Sequence, residues 1–340
     1  MSPWHASAAE PASPDALRVL RPPVPVDVAL TLRPLQRGTA DPTVRATSQG
    51  VWLTRRERVD GRPLPATLLL QPGPEGTVTV RAWGPAAAAA AGRAEALLGL
   101  PDDGWAGFDA LLAGGAGRAL PAPLREARRR TPGLRLPGAG ALAAQLMTVV
   151  LEQKVTHDQA RHGWRSLVRL AHEVQDATAP GPVPAGMLLP PAPEAVLAVP
   201  SWQWHTRAWV QPAQQRALLE VVRRADAVDR LGEATPAWDP AAAAGLARTL
   251  LRIPGIGPWT VAEALQRSHG AADLVSVGDF HVAHLVGQVF TGSRTDDAGM
   301  LRLLAPWAGH RQRVVRLIGL AGIRKERFGA RMAPTDMRRF

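Results

Sequence analysis

Through the first third of the chain, apolar residues recur in short alternating or β-branched runs: VDVALTL at 26–32, VRATSQGVWLT at 44–54, ATLLLQ at 66–71 and TVTVRAW at 77–83. Side chains on a strand point to opposite faces at every second residue, so these runs predict half-buried strands. Asp60–Gly61 and Pro72–Gly73 supply turns between them, which makes an antiparallel sheet the natural product. The run AAAAAAGRAEALLGL at 86–100 predicts a helix closed by Pro101. Residues 1–19, rich in Ala, Pro and Ser, predict a disordered tail.

Beyond about residue 120 the period changes. Apolar positions spaced three and four apart predict helices near 138–152, 156–174, 193–198, 211–229, 240–252, 259–268, 280–290, 296–304 and 310–322. The Pro-rich stretch 179–193 reads as a loop, and no repeat of fixed length is visible. The expected fold class is therefore α+β: a small antiparallel-sheet domain over 20–118, then an all-α domain over 119–340.

Composition narrows the function. The 340 residues carry 40 basic and 29 acidic side chains, a formal charge of +11, which favours a polyanionic partner such as nucleic acid. A GC-biased genome enriches Arg, Ala and Pro in the same way, so charge alone decides nothing. The absence of cysteine excludes disulfides, thiolate metal sites, iron–sulfur clusters, thiol nucleophiles and direct alkyl transfer to a cysteine. There are two lysines, Lys154 and Lys325, so amines for Schiff-base chemistry are scarce. No apolar run reaches the roughly 20 residues of a membrane span, and the start lacks the pattern of a signal peptide. A cytoplasmic protein is expected.

The stretch LLRIPGIGPWTVAEALQRSHGAADLVSVGDFH at 250–281 carries the chemistry. Pro254 disfavours helix at Ile253, Gly255 and Gly257 permit a tight turn and close backbone approach, and Pro258 suits the first turn of a new helix. Free amides at such a helix start bind phosphate without reading sequence. A plain αα-hairpin has the same pattern.

The combination of PGIGPWT with an Asp 22 residues after the second glycine resembles the helix–hairpin–helix DNA glycosylase superfamily, and within it the AlkA type (DNA-3-methyladenine glycosylase II). The likeness covers about 140–325 and is strongest at LEQKVT, LLRIPGIGPWT with VGDFH, and PWAGHRQRVVRLI. It implies a two-lobed helical domain with its hairpin at 245–268. It also implies a base-excision-repair enzyme that flips a damaged base from duplex DNA, acting as a monomer. Asp279 falls on the family's catalytic carboxylate. Cleaving an N-glycosidic bond builds positive charge on the sugar, which a carboxylate stabilises; the same Asp would equally cap the helix that follows. Trp259 stands where bifunctional relatives carry an amine, so a monofunctional glycosylase without strand nicking is implied. Alkylated purines such as 3-methyladenine and 7-methylguanine are already cationic while attached to the sugar and need no general acid in order to leave. Indole faces attract cations, which makes Trp259 and Trp307 candidates for the base pocket, with core packing as the alternative for both.

Gln153 falls on a glutamine placed near the flipped nucleotide. The next position, often an apolar wedge in relatives, is Lys154, which either meets a phosphate or sits on a solvated face. The hairpin backbone at Gly255, Ile256 and Gly257, with Thr260, Arg311 and Arg313, completes the expected DNA contacts; Arg316, Arg324, Lys325, Arg327 and Arg331 are further basic candidates. His281 and His310 are taken as structural. No metal-ligand spacing occurs, and no cofactor is expected beyond a monovalent cation that the resemblance allows on hairpin carbonyls at 253–258. Two rival readings stay open: a non-catalytic helix–hairpin–helix DNA-binding protein, and a glycosylase for deaminated or oxidised bases.

Overall fold

The structure, a computed structural model, describes residues 13–323. Regular structure starts inside the segment expected to be a tail. Strand β1 (Ala16–Leu20) pairs antiparallel with the later strand Val78–Trp83; its five residues are too few for a compositional signal and are held by that partner. The predicted strand at 26–32 is instead a helix, α1 (Val28–Leu32). The Asp27 carboxylate accepts the Leu30 N–H at 2.8 Å, an N-cap that competes with extended backbone, and Val28, Thr31 and Leu32 turn inward.

The remaining strands form where the short apolar runs predict them, though the two long central ones are buried on both faces along much of their length. They are β2 (Val44–Thr47), β3 (Gly50–Val59), β4 (Arg62–Pro72) and β5 (Val78–Trp83), and the sheet order is β1-β5-β4-β3-β2, antiparallel throughout. The broken helix α2 (Ala87–Gly92) and α3 (Ala94–Leu97) covers one face, with Leu53, Leu68, Leu70 and Val80 in the shared core. On the other face Trp52 and Trp83 stack 5.5 Å apart beside Met187.

The helices divide between two cores. The first three are α4 (Gly104–Ala113), ahead of the expected boundary, α5 (Gly115–Ala119), across it, and α6 (Ala122–Arg130), just after it. Next come α7 (Leu142–Val150), α8 (His157–Val174), α9 (Pro193–Ala198), α10 (Ser201–Thr206), α11 (Pro212–Val222), α12 (Ala225–Glu233), α13 (Pro240–Leu250) and α14 (Pro258–Ser268). The last are α15 (Val282–Thr291), α16 (Asp297–Leu304) and α17 (Arg311–Leu320). Residues from α7 to α14 form one core around Leu146, Trp164, Leu218 and Leu265. Trp105, Phe108 and Leu124 pack instead with Val286, Met300, Trp307 and Leu317. The second lobe is thus built around residues of α4, α6 and α15–α17, and Trp105 and Phe108 pack with these helices.

One buried ion pair ties that lobe together. Arg313 on α17 reaches both oxygens of Asp102 through Nη2, at 2.5 and 2.7 Å. Both side chains are almost wholly buried. A Cβ at Gly104 would lie 2.4 Å from the same nitrogen, which explains a glycine opening α4. Among the described residues no helix is long and apolar enough to cross a membrane.

Candidate active site

The α13–α14 connection folds as its glycines and prolines dictate. Ile253 N–H donates to Leu250 O, and Ile256 N–H to Ile253 O at 3.1 Å. Gly255 has φ +80°, the left-handed region that disfavours a Cβ. A Cβ there would also meet the Ala217 Cβ of α11 at 2.5 Å. Gly257 meets nothing within 4 Å, so its openness is free for an incoming backbone. Ile253 and Ile256 anchor the turn in the core, whereas Pro254, Gly255 and Pro258 face solvent. Ile256 is buried and its N–H is used within the turn, so the backbone left open to a ligand is that of the flanking glycines.

Gln153 binds this hairpin directly. Its Nε2 donates to Gly255 O at 3.0 Å and to Thr260 Oγ1 at 2.8 Å, tying the α7–α8 connection to the turn. Thr260 is buried by this contact, which removes it from the expected DNA-facing set. Lys154 is exposed with φ +53°. Of the carbonyls that a monovalent cation would use, Gly255 O takes the Gln153 amide and Ile253 O an N–H. Among the described residues no group of three or more acidic or histidine side chains is arranged to hold a metal.

Asp279 lies beside the turn and is half-buried. Its Oδ2 accepts the Trp259 indole N–H at 3.0 Å. Its Oδ1 accepts the backbone N–H of His281 at 2.7 Å and of Val282 at 2.9 Å, at the start of α15. Three donors from two elements hold the carboxylate in one orientation. The expected cap of the helix that follows is present in this side chain.

Behind that contact runs a polar ladder that the sequence reading missed. Trp259, Glu263 and Gln266 are four and seven residues apart on α14 and share a face. The Ser276 hydroxyl donates to Glu263 Oε1. Gln266 Nε2 donates to Leu274 O at 2.9 Å and to Ser276 Oγ at 3.2 Å, and Gln312 of α17 donates to Gln266 Oε1 at 2.8 Å. Arg267 pairs with Glu263 at 2.6 Å, and Glu152 pairs with Arg37 at 3.0 Å. Arg316 has a buried Nε with no partner, and Gln312 a buried, unpartnered Oε1. Burial, with Arg267 and Arg33 nearby, lowers the Arg316 pKa to about 10. Helical spacing from Trp259 was the signal available for Glu263 and Gln266.

Three other candidates sit elsewhere. Trp307 does not line this surface: it is 1% exposed, and its ring lies 5.3 Å from Phe290 in the second-lobe core. Arg313 is equally buried on Asp102, so it cannot meet a phosphate. Arg311 is half-buried and pairs with Asp273 at 2.8 Å. His310 has its pKa lowered by burial and by Arg313, and its Nδ1 accepts from that guanidinium at 2.8 Å, a structural role. Arg324, Lys325, Arg327 and Arg331 lie outside the described residues.

No family model matches the sequence, and no curated protein matches it. Solved structures do. A 3-methyladenine DNA-glycosylase from Archaeoglobus fulgidus superposes with a TM-score of 0.67 at 16% identity, over 89% of this chain and 98% of that one. MBOgg1, solved in complex with a low affinity DNA ligand, gives 0.63 at 12% identity over 92% and 97%. An 8-oxoguanine glycosylase/lyase from Clostridium acetobutylicum gives 0.64 at 8% identity over 92% and 98%. The chain has the fold shared by these DNA glycosylases, sheet domain and both helical lobes included.

Proposed function

We propose that this chain is a DNA glycosylase of base excision repair, hydrolysing the N-glycosidic bond of alkylated purines in duplex DNA. The observation that carries the reading is the Asp279 carboxylate, fixed by Trp259 and two α15 amides at the edge of the two-glycine turn. The turn's open backbone at Gly257 grips a phosphate, which brings the sugar of an extruded nucleotide towards Asp279. As the C1′–N bond lengthens, its electron pair goes to the base and positive charge grows on the sugar. The oriented carboxylate opposes that charge, water adds at C1′ and loses a proton, and an abasic site remains. An alkylated base departs neutral, having started as a cation, so one carboxylate suffices. Trp259 offers no amine for a Schiff base, and no strand nicking follows from this site.

The fold likeness embraces a 3-methyladenine glycosylase and 8-oxoguanine glycosylases alike, so the alkylpurine preference rests on the single carboxylate and on the indole of Trp259. A second reading, oxidised purines, draws on the ladder of donors and acceptors behind Trp259, which suits a neutral base with a polar edge. Incubation with methylated or oxidised duplexes, scored by chromatography of released bases and by a gel run without alkali, tests both. Base release without nicking, abolished in Asp279→Asn, is the expected result. Wild type that binds duplex DNA yet frees no base would leave only a binding module.

A further inference from the structure

Phe280 is 81% exposed, the most exposed large apolar side chain among the described residues. It follows Asp279 directly, so the two α-carbons stand about 3.8 Å apart. We propose that Phe280 enters the duplex where the damaged nucleotide has left it and stacks on a base that stays behind; this rests on the glycosylase reading.

The exposure is built in. Val277 N–H donates to Val275 O at 2.9 Å and Asp279 N–H to Ser276 O at 3.1 Å. Gly278, at φ +87°, donates its N–H to Asp297 Oδ2 at 3.0 Å, and Asp279 caps the next two amides. Hydrogen bonds thus hold the backbone on both sides of Phe280. The ring contacts the edges of His281 and His284, at 4.9 and 6.4 Å between centroids, and both imidazoles are exposed. No apolar pocket within the protein receives it.

The geometry selects the occupant. An exposed ring on a backbone held in place, one residue from a carboxylate that needs an extruded sugar, is within reach of the place where a base pair has lost its stacking partner. Apolar side chains at such steps replace lost stacking, and aromatic rings stack on any base. Lys154, exposed on the connection whose Gln153 binds the hairpin, carries a charge suited to a phosphate and not to the base stack.

The test uses the full chain with Phe280→Ala and Phe280→Trp, and two duplexes: one intact, one carrying a tetrahydrofuran abasic-site analogue. A third duplex carries 2-aminopurine next to a methylated purine to report unstacking. Alanine is expected to weaken binding to the abasic duplex roughly tenfold or more, to blunt the 2-aminopurine rise, and to leave intact-duplex affinity and thermal stability unchanged. Tryptophan is expected to restore both signals. Equal affinity of Phe280→Ala and wild type for the abasic duplex overturns the proposal, as does an equal loss on both duplexes. Either result leaves wild-type base release, and with it the glycosylase reading, standing. Wild type that frees no base and does not prefer the abasic duplex would remove the underlying reading itself.

Discussion

Asp102→Ala strands a cation in the second-lobe core. Arg313 is 1% exposed and its Nη2 has both Asp102 oxygens as partners. What remains after truncation is a 2.8 Å contact to His310 Nδ1, a 3.5 Å contact to Gly309 O and the Trp105 ring, 5.3 Å from Cζ. None of these is an anion, and the guanidinium lies in the closed interior of the lobe. Breaking a buried pair from one side costs about 3–5 kcal/mol, because the surviving charge stays desolvated. For a domain of this size that lowers the Tm by on the order of 5–15 °C. The paired substitution Asp102→Leu with Arg313→Met removes both charges at similar volume and is expected to lie near wild type or above it. Calorimetry or urea unfolding of the three proteins gives the comparison, and DNA affinity of the double variant gives a second readout. Because Arg313 is sealed from solvent, that affinity should be unchanged. A single variant within about 1 kcal/mol of wild type, or a double variant as unstable as the single, would refute the reasoning on burial. Lost DNA binding in a stable double variant would return Arg313 to the phosphate-contacting set.

Trp259→Phe keeps a ring but deletes the donor to Asp279. Hydrogen bonds to charged groups are worth about 1.5–3 kcal/mol, so kcat for base release is expected to fall roughly 10- to 100-fold with KM little changed; equal rates would detach the indole from the carboxylate's positioning. Gly255→Ala should destabilise the fold by on the order of 1–2 kcal/mol, from its positive φ and the Ala217 clash. Gly257→Ala should leave the Tm nearly unchanged and weaken duplex binding, a contrast read by melting and titration side by side. Burial lowers the His269 pKa, with Nε2 on Gly232 O at 3.0 Å and Nδ1 on Ser268 Oγ at 2.7 Å. The unfolded chain takes up that proton near pH 6.5 and the folded chain only at lower pH. Its contribution is therefore whole above about pH 6.5 and is lost as pH falls through the folded value; His269→Gln should flatten the acid side of the stability profile.

The sequence by itself determined the features whose cause is local. Pro254, Gly255, Gly257 and Pro258 dictate the turn between α13 and α14, because each acts through its own φ or its own missing atoms. Short alternating or β-branched runs placed β3, β4 and β5, whereas Asp279 was singled out by the likeness to a known family and not by a local cause. Partnerships across the chain had no such signature. Whether Val28–Leu32 coils or extends depended on a cap and on what its face meets, and β1 exists because β5 is there to pair with it. Trp307 and Arg313 look like site residues in the sequence, yet Phe290 and Asp102 bury them, the latter 211 residues away. Glu263, Gln266, Ser276 and Gln312 became one ladder only when α14, the 274–279 loop and α17 met. A side chain's chemistry is written at its own position, but its burial and its partners belong to contacts that the folded chain alone brings together.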